Sequence, residues 1–158
     1  MAQVGFYHLT RTGLEAALPA LPALLARTLA AGARAVVRGT DPARIEALDA
    51  ALWLAPGVDW LPHGTAAMGH GPDQPVWLTT GDDVPNDARF LFLVDGATAD
   101  LARFERVFDL FDGNDTDAVA AARVRWKAAR AAGHALTYWQ QGETGWIRQA
   151  EVAPETSR

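Results

Sequence analysis

The chain has 158 residues, of which 49% are hydrophobic, and it carries 19 acidic against 14 basic side chains. This length and composition predict one folded domain with a buried core, and they exclude a disordered chain. Cysteine is absent, which excludes disulfides, thiol catalysis and zinc–thiolate sites and favours a reducing, cytoplasmic environment. The acidic balance argues against direct binding of nucleic acid through its phosphate backbone.

The first half of the chain is predicted to alternate strands with helices. Hydrophobic patterning gives a strand over 4–9, a helix within 14–31, a buried strand over 35–38 and a helix opening at 41–42. Because proline is tolerated in a first helical turn, the regular part of the first helix should begin at Pro19 or Pro22. Gly32 should end that helix. This order of elements is typical of an α/β fold with a parallel sheet.

The second half is predicted to continue the same pattern. In order, we expect a loop over 55–74, a strand over 75–79, a turn over 81–87, a strand over 90–94, a helix over 101–111, a turn over 112–115, a helix over 117–132 and short strands over 136–139 and 145–147. The strand over 90–94 is the most hydrophobic and should lie in the middle of the sheet. The helix over 101–111 is predicted because four apolar residues would share one face, namely Phe104, Val107, Phe108 and Phe111.

These elements predict a single-domain, three-layer αβα sandwich with a mostly parallel central sheet and Rossmann-like topology. The domain is expected to span 1–149, followed by a flexible C-terminal tail over 150–158. No apolar stretch reaches membrane-spanning length and the N-terminal residues do not resemble a signal peptide, so membrane association is not expected.

Residues that usually carry catalysis or hold cofactors are missing from the sequence. The only serine is Ser157, and neither a Gly-x-Gly-x-x-Gly motif nor a Walker-type phosphate loop is present. The four histidines are not spaced as metal ligands on one helix, and His63 is expected to bond backbone atoms in a turn. We therefore predict no catalytic site, no metal and no cofactor.

Residues 118–137 form the most unusual segment, with four of the 14 bases and none of the 19 acids. Arg123, the only lysine Lys127, and Arg130 recur at helical spacing and so share one face, with Trp126 beside them. A solvated face near a helix C-terminus would explain the cations, since the helix dipole favours them there, but not the tryptophan. The opposite face is apolar and is expected to pack against the sheet; it comprises Ala121, Val124, Ala128 and Ala132. Arg125 points toward that side and is expected to reach an acidic side chain.

An ordered set of segments resembles the chi subunit family of bacterial DNA polymerase III. The resemblance runs from about residue 4 to about residue 140 and rests on 6–9 (FYHL), 48–53 (LDAALW), 61–64 (LPHG), 74–78 (QPVWL), 90–93 (FLFL), and 122–127 (ARVRWK) with Gly133. It implies a compact, non-catalytic α/β protein. Members of the family bind the acidic C-terminal tail of single-stranded DNA-binding protein, which ends in a phenylalanine with a free carboxylate. Through the psi subunit they attach to the clamp loader.

The same resemblance implies roles for individual residues. Arg123 corresponds to a basic residue used in tail binding and would pair with the terminal carboxylate. Trp126 would wall the phenylalanine pocket, and Lys127 and Arg130 would attract the aspartates of the tail. Trp53 would either line the same region or serve only as a packing residue.

The chain departs from the family in some places. Val119 stands where some members carry another base, one helical turn before Arg123, and the segment over 138–146 extends past the shorter members without an assigned role. Two other functions stay open from the residues alone. One is a small α/β nucleotide-binding protein or enzyme that uses the C-terminal edge of the strands. The other is a scaffold with its interface on the predicted helix of Phe104, Phe108 and Phe111, although core packing is the preferred explanation for those residues.

Overall fold

The structure, a computed structural model, describes residues 2–10, 20–54, 61–142 and 145–154. Within these residues it contains eight strands, three helices and two single-turn 3-10 helices over Gly71–Asp73 and Leu101–Arg103. In chain order the main elements are β1 (Gln3–Leu9), α1 (Ala20–Ala30), β2 (Ala35–Arg38), α2 (Pro42–Trp53), β3 (Gly64–Thr65), β4 (Val76–Thr79), β5 (Phe90–Leu93), β6 (Arg106–Asp112), α3 (Thr116–Ala131), β7 (Ala135–Gln141) and β8 (Trp146–Val152).

The eight strands form one sheet in the order β3-β4-β2-β5-β6-β1-β7-β8. Every neighbouring pair is parallel except β7 and β8, which are antiparallel. The predicted α/β class with a mostly parallel sheet is therefore confirmed, and so is the position of β5 in the middle of the sheet.

The helices of the described residues cover both faces of the sheet. Tyr7 of β1 packs in a buried cluster with Leu25 of α1 and Leu48 of α2, whereas its neighbour Phe6 packs in a second cluster with Ala129 of α3. Successive side chains of a strand point to opposite faces. Helices α1 and α2 thus lie on one side, called here the α1 face, and α3 lies on the other, called the α3 face.

The predicted end of α1 and the predicted start of α2 agree with the structure. Asp41 is the N-cap of α2, where its carboxylate accepts from the backbone N–H of Ala43, and Pro42 occupies the first turn. Gly32 ends α1 with a φ of +78°, a left-handed conformation that favours glycine. The predicted part of the first helix before Ala20 lies outside the described residues.

The predicted helix over 101–111 is wrong, because this segment contains a 3-10 turn and then strand β6. Strand β6 pairs with β1 on one side and β5 on the other, and residues 107–111 are buried. A strand covered on both faces has a continuous apolar sequence, which periodicity alone does not separate from a buried helix. Phe104, Phe108 and Phe111 are 4–5% exposed, so core packing is confirmed for them and they do not form the exposed face of a helix.

The C-terminal segment also differs from the prediction. Strand β7 is longer than residues 136–139 and strand β8 extends to Val152, so residues 150–152 do not belong to a tail. Most of β8 is exposed, which weakens the hydrophobic alternation that would reveal a strand. Residues 155–158 of the predicted tail lie outside the described residues. The predicted loop over 55–74 contains β3 and a 3-10 turn in its described part.

Candidate functional site

Helix α3 carries the cationic residues and packs on β1, β6 and β7. Asp115 caps its first turn by accepting from the backbone N–H groups of Asp117 and Ala118. Gly133, at a φ of +84°, follows its last turn, as predicted. The helix therefore begins and ends at residues whose chemistry fixes its boundaries.

The rotation of α3 differs from the predicted one. The residues turned toward the sheet are Ala122 and Ala129, both 3% exposed, together with the partly buried Trp126. The face expected to pack against the sheet is exposed instead, and Val124 is 68% exposed. Burying the indole removes far more apolar surface from water than burying the smaller Val124 would, which accounts for this rotation.

A buried ion pair fixes the middle of α3 to the sheet. The guanidinium of Arg125 donates from Nε to Asp109 Oδ2 at 2.6 Å and from Nη2 to Oδ1 at 3.0 Å. Burial raises the pKa of the Asp109 carboxyl, and the Arg125 guanidinium opposes that shift. The prediction that Arg125 reaches an acid is confirmed. A two-point contact of this kind sets the rotation of a helix as well as its position.

Trp126 lies between the sheet and the surface. Its ring centroid is 5.3 Å from that of Phe6 and 6.0 Å from that of Tyr138, both in edge-to-face geometry. Aromatic pairs favour this arrangement. Trp126 is thus held on its inner side by the core, while its partly exposed side remains available to a ligand.

A pocket of about 250 Å³, called here the α3 pocket, opens between α3 and strands β6, β7 and β8. It is lined by Phe111, Val119, Ala122, Arg123, Trp126, Tyr138 and Ala150. Among these residues only Arg123 is charged, and the rest offer apolar or aromatic surface. The α3 pocket can therefore hold one apolar side chain that also carries or adjoins an anion.

The charge at the pocket comes from a guanidinium without an internal partner. Arg123, Lys127 and Arg130 are exposed, and no acidic side chain among the described residues forms a salt bridge with them. Burial raises the pKa of the Tyr138 phenol, while the nearby Arg123 guanidinium opposes the shift. The phenol oxygen lies 2.8 Å from Nδ1 of His8, which holds the Tyr138 ring in place.

The structure brings together some of the predicted site residues. Arg123 and Trp126 line the α3 pocket, and Lys127 and Arg130 lie on the exposed side of the same helix without lining it. Trp53, in contrast, ends α2 on the α1 face, where it is 49% exposed and its ring centroid lies 4.1 Å from that of His63. Trp53 does not line the α3 pocket.

The sequence did not identify Phe111, Tyr138 and Ala150 as pocket residues. Phe111 fell in the predicted helix over 101–111 and Ala150 in the predicted tail, so neither could be placed beside α3. Tyr138 carried a usable signal, because Leu136 and Tyr138 are two residues apart in a strand and must share a face. In the structure Leu136 lies in the α3-face cluster, and Tyr138 packs against the same cluster.

The histidines and carboxylates of the described residues have structural roles or lie apart from one another. Both ring nitrogens of His63 lie within hydrogen-bonding distance of a backbone carbonyl, 2.7 Å from Leu61 O and 3.1 Å from Asp49 O, which confirms its predicted structural role. In the described part of the chain, no group of three or more His, Asp or Glu side chains is placed to hold a metal ion. No described helix is both long and apolar enough to cross a membrane.

A protein-family model matches most of the chain. The family model described as DNA polymerase III chi subunit, HolC, matches residues 1–137. No curated protein matches the chain. The matched region contains Arg123 and Trp126, whereas Tyr138 and Ala150, which complete the α3 pocket, lie beyond it.

Proposed function

The chain belongs to the DNA polymerase III chi subunit family, and we propose that it binds the acidic C-terminal tail of single-stranded DNA-binding protein without catalysing a reaction itself. It thereby links that protein to the clamp loader of the polymerase. The observation that carries this proposal is the α3 pocket, an apolar pocket of about 250 Å³ with Arg123 as its only charged lining residue among those described.

The pocket matches the chemistry of a peptide that ends in phenylalanine. Its volume lies just below the roughly 300–1,000 Å³ of sites for drug-sized ligands, which suits a single side chain. The terminal phenyl ring would pack against Trp126 and Tyr138, whose rings meet edge-to-face at 6.0 Å and form an aromatic wall of the pocket. The free carboxylate would then pair with the guanidinium of Arg123, whose planar fork fits it at two points.

The remaining cations suit the acidic residues that precede the terminal phenylalanine. Lys127 and Arg130 follow Arg123 by one and two helical turns on the exposed side of α3. Exposed charges of this kind raise the rate of association more than the affinity. Attachment to the clamp loader through the psi subunit is supported by family membership alone, and Trp53 has no part in the α3 pocket.

Titrating a short acidic peptide with a C-terminal phenylalanine tests the proposal. Isothermal calorimetry should give a dissociation constant in the micromolar range. Amidating the terminal carboxylate, or substituting Arg123→Gln, should each weaken binding by about tenfold or more, because a charge-assisted bond is lost.

The matched control is Arg103→Gln, which alters an exposed arginine outside the α3 pocket and should leave the affinity unchanged. Equal affinity of the Arg123→Gln variant and the parent protein would contradict the proposal. So would equal binding of a peptide that lacks the final phenylalanine.

A further inference from the structure

A second cavity lies on the opposite side of the sheet, beside α1. It has a volume of about 350 Å³ and is called here the α1-face cleft. Its lining includes the aromatic rings of Tyr7, Phe108, Trp139 and Trp146 and the guanidinium groups of Arg27 and Arg106. An adjoining cavity of about 430 Å³ shares Tyr7, Arg106, Phe108 and Trp139 with it, so the cleft continues across β1, β6 and β7.

The floor of the cleft is a cluster of aromatic rings around Tyr7. Its ring is stacked near Phe108 at 5.7 Å and near Trp139 at 6.5 Å, and it meets Trp146 edge-on at 5.0 Å. The tyrosine ring lies over the backbone of Gly5, where an added Cβ would come within 2.7 Å of it. Trp139 and Trp146 are only partly buried, so their rings offer stacking surface to a planar ligand.

The rim of the cleft is cationic. Arg27, from the last turn of α1, and Arg106, at the start of β6, are both exposed. The guanidinium carbon of Arg106 lies 5.0 Å from the Phe108 ring centroid, a cation–π contact that holds the side chain over the floor.

Neither of these arginines forms a salt bridge with another described residue, and no carboxylate lines the α1-face cleft. The adjoining cavity has one described carboxylate, Glu151, which is paired with Arg148 at 3.0 Å. The cleft therefore presents two guanidinium groups with no described internal counter-ion, in a chain with a net charge of −5.

The hydroxyl of Tyr7 adds a polar group between the floor and the rim. Tyr7, Arg27 and Arg106 all line the cleft. Burial raises the pKa of the Tyr7 phenol, and the charges of Arg106 and Arg27 oppose that shift. A protonated phenol there can donate a hydrogen bond to an anionic oxygen bound by the two arginines.

We propose that the α1-face cleft binds a nucleoside phosphate, with the base stacked on Trp139 and Trp146 and the phosphate held by Arg27 and Arg106. Bases stack on aromatic side chains whatever their sequence, and guanidinium forks pair with phosphate at two points. The volume of about 350 Å³ falls within the range of small-molecule sites. Since the whole molecule is acidic, the cleft suits one nucleotide unit better than a long phosphate backbone.

This site is independent of the proposed function. It lies on the opposite face of the sheet from the α3 pocket, and Trp139 and Trp146 both follow residue 137, where the family match ends. The ligand could be a free nucleotide or one nucleotide of a single DNA strand, because both carry a base and a phosphate.

Two titrations of the full-length protein separate those two sources. Calorimetry with dAMP measures the free nucleotide, and fluorescence anisotropy of a labelled octadeoxyadenylate measures the strand. Deoxyribose 5-phosphate, which lacks the base, should bind at least about tenfold more weakly than dAMP if stacking contributes as expected. Saturable binding of dAMP or of the strand supports the site and identifies its source, whereas binding of neither overturns it.

Substitutions then locate the binding. Arg27→Gln, Arg106→Gln and Trp146→Ala should each weaken nucleotide binding by about fivefold or more, because each removes a phosphate or base contact. Arg27 is exposed on a helix surface, so its substitution tests the cleft without disturbing the core. Unchanged nucleotide affinity in both the Arg27→Gln and Arg106→Gln variants would overturn the assignment.

The two sites provide reciprocal controls. Arg123→Gln should keep nucleotide binding, and Arg106→Gln should keep binding of the acidic peptide, since each residue lines only its own cavity. Loss of peptide binding in Arg106→Gln would show that the α1-face cleft takes the acidic peptide, and the nucleotide proposal would be wrong. Failure of the peptide to bind anywhere would contradict the proposed function and leave the nucleotide titrations interpretable.

Discussion

His134 joins the end of α3 to the start of the sheet. It follows Gly133 and is 6% exposed, and its Nδ1 accepts a hydrogen bond of 3.0 Å from the backbone N–H of Ala2. An acceptor nitrogen carries no proton, so this hydrogen bond requires a neutral imidazole with its single proton on Nε2. Burial also lowers the pKa of His134 below its usual value of 6.5.

These facts predict a loss of stability in mild acid. Because the pKa of His134 is lower in the folded state, the unfolded chain binds more protons between that value and 6.5. The contribution of the neutral imidazole is therefore complete above about pH 6.5 and is lost as the pH falls through the folded pKa. The free energy of unfolding in urea should decline from about pH 7 to about pH 5.

The variant His134→Asn provides the comparison. An asparagine side-chain oxygen can accept from the Ala2 N–H in place of Nδ1 and does not titrate. Its free energy of unfolding should fall less steeply over the same pH interval, although the pKa of His8 is lowered by burial too and some slope should remain. Equal slopes in the two proteins would show that His134 does not couple protonation to folding.

At the level of single residues, the sequence could predict Arg123 and Trp126 as neighbours because helical spacing fixes their relation. It could not predict the rotation of α3 against the sheet. That rotation depends on the pairing of Arg125 with Asp109 and on the packing of Trp126 against Phe6, and both partners come from other elements.

At the level of elements, the prediction failed where burial removes periodicity. Val107, Phe108, Leu110 and Phe111 occur at the spacing of a helical face, yet they alternate between the two faces of strand β6. Strand β6 runs from Arg106 to Asp112, and a length of seven residues is short for a helix but ordinary for a strand. Strand β8 was hard to predict for the opposite reason, because it is mostly exposed and has no apolar face that would distinguish it from a tail.

The pairing of β7 with β8 shapes the α3 pocket. Strand β7 supplies Tyr138 and β8 supplies Ala150, and these two residues are directly opposite each other in the ladder. Both follow residue 137, where the family match ends, so this wall of the pocket lies outside the matched region. A small residue at 150 leaves the space between Tyr138 and α3 open.

Filling that space should block the peptide. Ala150→Phe places a large ring at the wall of the α3 pocket and should weaken acidic-peptide binding by about tenfold, or about 1.4 kcal/mol. Since Ala150 is exposed, the free energy of unfolding should change by less than about 0.5 kcal/mol. Calorimetry and urea unfolding measure the two quantities.

The matched control for this change is Ile147→Phe. Ile147 lies on the same strand, is 56% exposed and does not line the α3 pocket, so the peptide affinity should be unchanged. Full peptide binding by Ala150→Phe would show that β8 forms no part of the binding wall.

At the level of the whole molecule, an acidic protein is proposed to bind an acidic peptide. The net charge of −5 repels such a ligand at long range, whereas the acid-free segment over 118–137 attracts it locally. Arg123 lines the pocket, so substituting it would remove a direct contact as well as part of the local electrostatic field. Lys127 and Arg130 do not line the pocket, so substituting them changes the field alone.

Reversing those two charges should slow association specifically. In the double variant Lys127→Glu/Arg130→Glu, stopped-flow fluorescence at low salt should show association slowed by about tenfold and dissociation changed by less than about twofold. Physiological salt should reduce the difference, because exposed charges are screened beyond about 8 Å. The control Arg89→Glu/Arg148→Glu changes the net charge equally at exposed positions outside the α3 pocket. If the control slows association as much as the double variant, net charge governs the encounter and the cationic face of α3 does not.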